Sequence, residues 1–180
     1  MEISIPPEFC MLDIETAPGD FNRIPESFQL LVTGVLWQGG HQFYGCTTGE
    51  LRGLLGFLRD FEGTVVTFNG GRFDLPILND HLFRLTGEKL EVRKHYDILA
   101  EFTKAAGHRI SLDNLARETL GRQKVAWDHR RNVQVWEEEP ERLRQYLRVD
   151  LDLTAALYEK VLRREPLSDG SKQVFLPTQA

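Results

Sequence analysis

Strand-like segments crowd the first half of this chain and helical ones the second, and that division limits its architecture more than any other feature. Phe9–Ile14, Gln29–Trp37 (QLLVTGVLW), Gln42–Cys46, Thr64–Phe68 (TVVTF) and Glu91–Tyr96 have the apolar, β-branched character of strands. The second and third are separated by Gly39-Gly40, which reads as a hairpin turn and therefore as an antiparallel pair. Helical periodicity occupies Thr48 to about Phe61, with Leu51, Leu54, Leu55 and Leu58 on one face, and about Phe73 to Leu85. Strands interleaved with helices predict an α/β domain with a mixed sheet. The hairpin argues against an all-parallel Rossmann sheet, and no glycine-rich nucleotide fingerprint follows the first strand.

Beyond Asp97 the pattern is helical: Asp97–Ala106, Leu112–Leu120 capped by Ser111 and stopped by Gly121, and a long helix opened by Pro140 and running from about Glu141 to Arg164. Gln123–Arg131 mixes charge and aromatics without a period and reads as a loop. The 180 residues suit one compact domain, expected over 1–167, with a loose polar tail over 168–180. No apolar run is long enough to span a bilayer, and no secretory signal is visible. The expected location is cytoplasmic, with Cys10 and Cys46 as buried thiols. A net charge of −5 argues against a protein that simply coats DNA, but not against an enzyme with an acidic, cation-filled centre.

Three acidic placements stand out. In "MLDIETAP", Asp13 and Glu15 are two residues apart on a strand, so they share a face while Leu12 and Ile14 share the other. Neighbouring carboxylates repel unless water, a shared proton or a cation relieves them. In "TFNGGRFDLPIL", Asp74 follows a strand and a glycine turn at the start of a helix, where the dipole alone would favour an acid. In "YLRVDLDLTAALY", Tyr146 and Asp150 are four apart on one helix face, while Asp152 points elsewhere. Taken singly, each has a bland reading: a frayed strand end, a dipole-stabilised acid, a surface Asp beside an interfacial Tyr.

Taken in order, Asp13-Ile14-Glu15-Thr16, Asn69-Gly70 with Phe73-Asp74, and Tyr146 to Asp150 resemble the motifs of the DEDD superfamily of 3′–5′ exonucleases, which have an RNase H-like fold. The Tyr-x-x-x-Asp element points to the tyrosine branch. The chain is most similar to predicted exonucleases related to the proofreading domain of family B DNA polymerases, and "YDIL" and "SLDNLARETLG" also look like that family. The likeness spans about residues 9 to 162. It implies an RNase H-like mixed sheet and hydrolysis of phosphodiester bonds, with single-stranded DNA as the expected substrate and nucleoside monophosphates as products. Two divalent cations, Mg²⁺ or Mn²⁺, about 3.5–4 Å apart would be held by hard carboxylates. By this resemblance Asp13 bridges both ions, Glu15 and Asp150 complete the site that activates water, Asp74 holds the second ion, and Tyr146 orients the attacking water. The four carboxylates are expected to converge within one metal-site radius.

Thr16, Asn69 and Phe73 flank the motifs and are candidates for contact with the terminal nucleotide; a local backbone or core role is the alternative for each. Arg122, Lys124, His129, Arg130 and Arg131 form the best basic cluster, to grip phosphates or to face solvent. His95 and His108 read as structural, and Asp97 stands outside the catalytic set. The expected partners are a nucleic acid and a replication or repair protein, with no membrane. An RNase H-like endonuclease, an inactive nucleic-acid-binding or docking module, and a structural domain with coincidental acids remain the alternatives.

Overall fold

A computed structural model describes residues 6–178. Its main sheet contains β1 (Phe9–Thr16), β2 (Leu30–Trp37), β3 (Gly40–Tyr44), β4 (Thr64–Thr67) and β5 (Lys94–Asp97), in the order β3-β2-β1-β4-β5. β1 pairs antiparallel with β2 and parallel with β4, and β4 pairs parallel with β5, so the sheet is mixed with β1 at its centre. The helices are α1 (Thr48–Asp60), α2 (Asp74–Thr86), α3 (Ile98–Ala106), α4 (Leu112–Leu120), α5 (Asn132–Glu138) and α6 (Pro140–Leu162). No described helix is long and apolar enough to cross a membrane.

The alternation along β1 divides the core. Cys10, Leu12 and Ile14 join the cluster that includes the buried leucines of α1 and α2, while Met11 joins the cluster formed with α3 and α6. Asp13 and Glu15 follow Met11 on the α6 side, as the two-residue repeat requires. The leucine stripe of α1 is buried as its spacing predicts, and α6 buries Leu143, Leu147, Leu151 and Tyr158. Each fully buried leucine contributes about 1.5–3 kcal/mol relative to exposure.

Gly34 lets α6 approach the sheet. It lies opposite Asp13 in the β1–β2 register. A Cβ there would stand 2.8 Å from Leu151 Cδ1 and 3.0 Å from Leu147 Cδ2. We therefore expect Gly34→Ala to cost about 1–3 kcal/mol through overpacking, read as a lower midpoint in urea with an unchanged slope. An unaltered midpoint would mean that α6 can shift freely over β2.

Three local expectations are corrected. The hairpin turns at Gln38-Gly39, both at positive φ, and Gly40 already pairs with Trp37. Two left-handed residues match the strand twist, and only side chains near the turn decide which two. The irregular stretch after Gln123 ends in a 3₁₀ turn (His129–Arg131) that runs into α5. Asp128 caps that turn through Arg130 N–H at 3.1 Å, and α5 is too short to display a period. Beyond Leu167, where a loose tail was expected, Leu167–Ser168 (β6) pairs with Gln173–Val174 (β7). Leu167, Val174 and Leu176 are buried, and Tyr96 Oη donates to Pro177 O at 2.8 Å. Three apolar residues spaced through a polar segment are enough to dock it.

Candidate active site

The carboxyl ends of β1 and β4, the start of α2 and the middle of α6 meet at one cavity of about 430 Å³. Asp13, Glu15, Thr16, Asn69, Phe73, Asp74 and Asp150 all line it. Tyr146 does not. It sits one turn before Asp150 and lines a neighbouring recess of about 300 Å³ with Trp127 and Arg142. Tyr146 still reaches the acids indirectly, through Lys124.

The turn after β4 is held from below. Asp97 caps α3 and accepts the backbone N–H groups of Asn69 at 2.9 Å, Gly71 at 3.0 Å and Ala100 at 3.2 Å. Asn69 is left-handed at φ 71°, a conformation asparagine tolerates better than most residues. Its side chain accepts from Arg109 at 2.7 Å. Asp97 is thus a loop clamp outside the cavity. His95 bonds Thr67 Oγ1 at 2.8 Å, and His108 pairs with Asp169 at 3.1 Å, as structural roles require.

The turn delivers Asp74 beside β1, where its Oδ1 accepts the Ile14 N–H at 3.1 Å. Asp13 and Asp74 share a hydrogen bond. Burial, together with the charges of Asp74 and Asp150, holds the Asp13 carboxyl well above the usual carboxylate range. Burial also pushes Asp74 up, to about 6, but the Asp13 hydrogen bond and the Ile14 N–H favour its ionised form. The two carboxyls therefore titrate as a pair. Across the cavity, burial raises Asp150 to about 6 against the pull of Lys124, whose Nζ lies 2.5 Å from Asp150 Oδ2. Although burial disfavours its charge, Lys124 titrates above an ordinary lysine because of Asp150 and Tyr146. Its Nζ also lies 3.4 Å from Tyr146 Oη.

Glu15 has different neighbours from Asp13, although both point to one strand face. Its Oε2 accepts from Asn132 Nδ2 at 2.8 Å and lies 3.7 Å from His129 Nδ1. Glu15 in turn raises the pKa of His129. Arg130 lines the cavity edge and forks onto Asp128 at 2.8 and 2.9 Å.

Two residues here escaped the sequence reading. Lys124 belonged only to a loose basic cluster, and Asn132 carried no signal at all. Lys124 is set in place by Asp113, whose Oδ1 accepts its backbone N–H at 2.9 Å. A lysine in an aperiodic loop has no local mark that distinguishes it from its solvated neighbours.

Among the described residues, no three acidic, histidine or cysteine side chains already stand together as a metal cage. The four carboxylates line one cavity. The donor set nevertheless suits a hard divalent cation. It places four carboxylates at the cavity, Asp150 Oδ1 is buried without a hydrogen-bond partner, and burial together with neighbouring acids raises the Asp13 pKa, a penalty that a bound cation would relieve.

A family model described as the RNase H superfamily matches residues 54–162. The chain belongs to the RNase H superfamily. The matched residues include Asp74, Lys124, Tyr146 and Asp150, while β1, with Asp13 and Glu15, precedes them. Among solved structures, this RNase H-like domain is similar to the family B DNA polymerase from the hyperthermophilic archaeon Pyrobaculum calidifontis, with a TM-score of 0.65 at 18% identity. The likeness covers 86% of this chain and 24% of the polymerase chain, so the domain spans about a quarter of that protein's length. At this identity the match establishes the fold. No curated protein matches the sequence.

Proposed function

We propose that this RNase H-like domain is a metal-dependent 3′–5′ exonuclease that removes nucleoside monophosphates from single-stranded DNA. The observation that carries the reading is the meeting of Asp13, Glu15, Asp74 and Asp150 at one cavity from three separate elements. The Tyr-x-x-x-Asp spacing favours an exonuclease over an endonuclease of the same fold.

Asp13, Glu15, Asp74 and Asp150 would hold Mg²⁺ or Mn²⁺. When bound, the ions neutralise the scissile phosphate and make water acidic enough to attack it at neutral pH. The oxygen of water bonds to phosphorus as the bond from phosphorus to the 3′ oxygen of the preceding nucleotide breaks. Tyr146, pushed up to about 12 by burial and Asp150, keeps its proton at neutral pH and orients the reacting groups as a donor. Lys124 supplies a fixed positive charge between Tyr146 and Asp150, which would stabilise negative charge that develops on the reacting phosphate.

The far wall of the cavity suits a terminal base. Phe73 packs edge-on to Phe28 at 5.0 Å and lies stacked with Phe21 at 5.7 Å, and Phe21 is 72% exposed. An exposed ring on a supported aromatic cluster is a stacking platform that tolerates any base. Thr16 and Asn69 border the same space and are assigned to the terminal nucleotide.

The test is digestion of 5′-labelled linear DNA and RNA, single- and double-stranded, beside circular single-stranded DNA, each with Mg²⁺, Mn²⁺ or chelator. The proposal expects a ladder shortening from the 3′ end of linear single-stranded DNA, dependent on metal. Cleavage of the circle would make it an endonuclease. Tyr146→Phe keeps the ring stacked on Trp127 at 4.5 Å and deletes only the hydroxyl. Its single-turnover rate should fall about 10²-fold, the low end for positioning and proton-transfer contributions, with oligonucleotide affinity unchanged. An unchanged rate would leave Tyr146 a packing residue.

A further inference from the structure

Asn132, the first residue of α5, is polar yet only 1% exposed. Both amide N–H groups and the amide oxygen have partners. Nδ2 donates to Glu15 Oε2 at 2.8 Å and to Thr16 O at 2.9 Å, and Oδ1 accepts from Trp127 Nε1 at 2.7 Å. The partners fix its orientation. A flipped amide would set its oxygen against two acceptors and its nitrogen against an N–H donor. Two consequences reach the cavity. Among the described residues, both contacts of the Glu15 carboxylate fall on Oε2, which leaves Oε1 for a cation. Trp127, held through its indole N–H, is stacked on Tyr146 with ring centroids 4.5 Å apart and planes 20° apart.

We propose that Asn132 is a positioning residue of the active site. It orients the Glu15 carboxylate for cation binding and, through Trp127, sets the surface on which Tyr146 rests. The inference rests on the exonuclease reading of this cavity. Asn132 touches neither substrate nor reacting atoms. Its effect passes through Glu15 and Tyr146, as outer partners of metal-binding carboxylates generally act.

Asn132→Leu keeps the volume and removes all three hydrogen bonds; Asn132→Ala is the smaller companion. Each is compared with wild type and with Asp13→Asn in three measurements. These are Mn²⁺ binding by calorimetry without substrate, the metal-free melt, and steady-state cleavage of a single-stranded oligonucleotide. We expect a folded variant whose Mn²⁺ affinity is about 10–100-fold weaker, with kcat reduced and KM for the oligonucleotide unchanged. A lower melt with Mn²⁺ affinity within twofold of wild type would make Asn132 structural and overturn the proposal. So would failure of both variants to fold. If Asp13→Asn also leaves Mn²⁺ binding unaltered, the reading of the cavity as a metal site fails. If Asp13→Asn loses binding while the Asn132 variants keep it, only the role of Asn132 fails.

Discussion

Asp13→Asn should abolish nuclease activity and make the metal-free domain more stable. The side chain keeps its size and can still hydrogen-bond Asp74, but it can no longer bear a negative charge. Loss of one member of a catalytic unit costs on the order of 10⁴-fold in rate. Stability should move the other way, because Asp13 is buried among Asp74, Asp150 and Glu15. Relief of roughly 1 kcal/mol of repulsion corresponds to about 2–4 °C in a chain of this size.

The pH dependence has a defined sign. Asp13, Asp74 and Asp150 all titrate higher in the fold than free carboxyls, the last two at about 6. The folded state therefore binds these protons more tightly than the unfolded chain. The resulting stability is full below about pH 4 and is lost as pH rises through about 6. This contribution favours pH 5 over pH 7.5 in the metal-free melt, and Asp13→Asn should flatten the difference. Activity equal to wild type, measured against a chelator control, would sink the metal mechanism. A lower melting temperature for the variant would sink the repulsion argument.

Lys124→Met should have the second largest effect, and it acts on both rate and stability. The substitution keeps most of the apolar stem and removes the ammonium that lies 2.5 Å from Asp150. Removing one partner of a buried pair costs up to about 3–5 kcal/mol when the other charge is stranded. Asp150 can escape by taking up a proton, so the cost should be smaller, about 1–3 kcal/mol at pH 7.5, and should shrink towards pH 5. Added Mn²⁺ should restore much of the lost stability by replacing the missing positive charge at Asp150. The single-turnover rate should fall about 10²–10³-fold, the usual loss for one preorganised electrostatic contact. Parallel melts at pH 5 and 7.5, with and without Mn²⁺, check the first part, and single-turnover cleavage checks the second. A destabilisation that is the same at both pH values and indifferent to Mn²⁺ would mean that Lys124 acts through packing alone.

These effects come from groups of unequal legibility. That Asp13 and Glu15 face one way and Leu12 and Ile14 the other follows from the two-residue repeat of a strand. Met11 and Leu12 accordingly fall into different core clusters. That Tyr146 and Asp150 lie on one face of α6 follows from the helical turn, and the mixed sheet from a hairpin beside interleaved helices. Such features are written in the local order of residues, because backbone geometry repeats every two or 3.6 positions whatever the surroundings.

Partner choice has no such rule. Asp13 pairs with Asp74, sixty-one positions away, and not with Glu15 beside it, because the turn held by Asp97 brings the start of α2 against β1. Lys124 rather than a neighbouring arginine meets Asp150, because Asp113 fixes the backbone of an otherwise aperiodic loop. Asn132 reaches Glu15 from the first residue of a helix too short to announce itself. The segment after Leu167 docks because Leu167, Val174 and Leu176 find covered positions that only the packed domain provides. The sequence alone determined which acids could share a face. Only the tertiary structure decided which charges and amides answer them, since those contacts join distant segments whose approach depends on the packing of the whole sheet against α6.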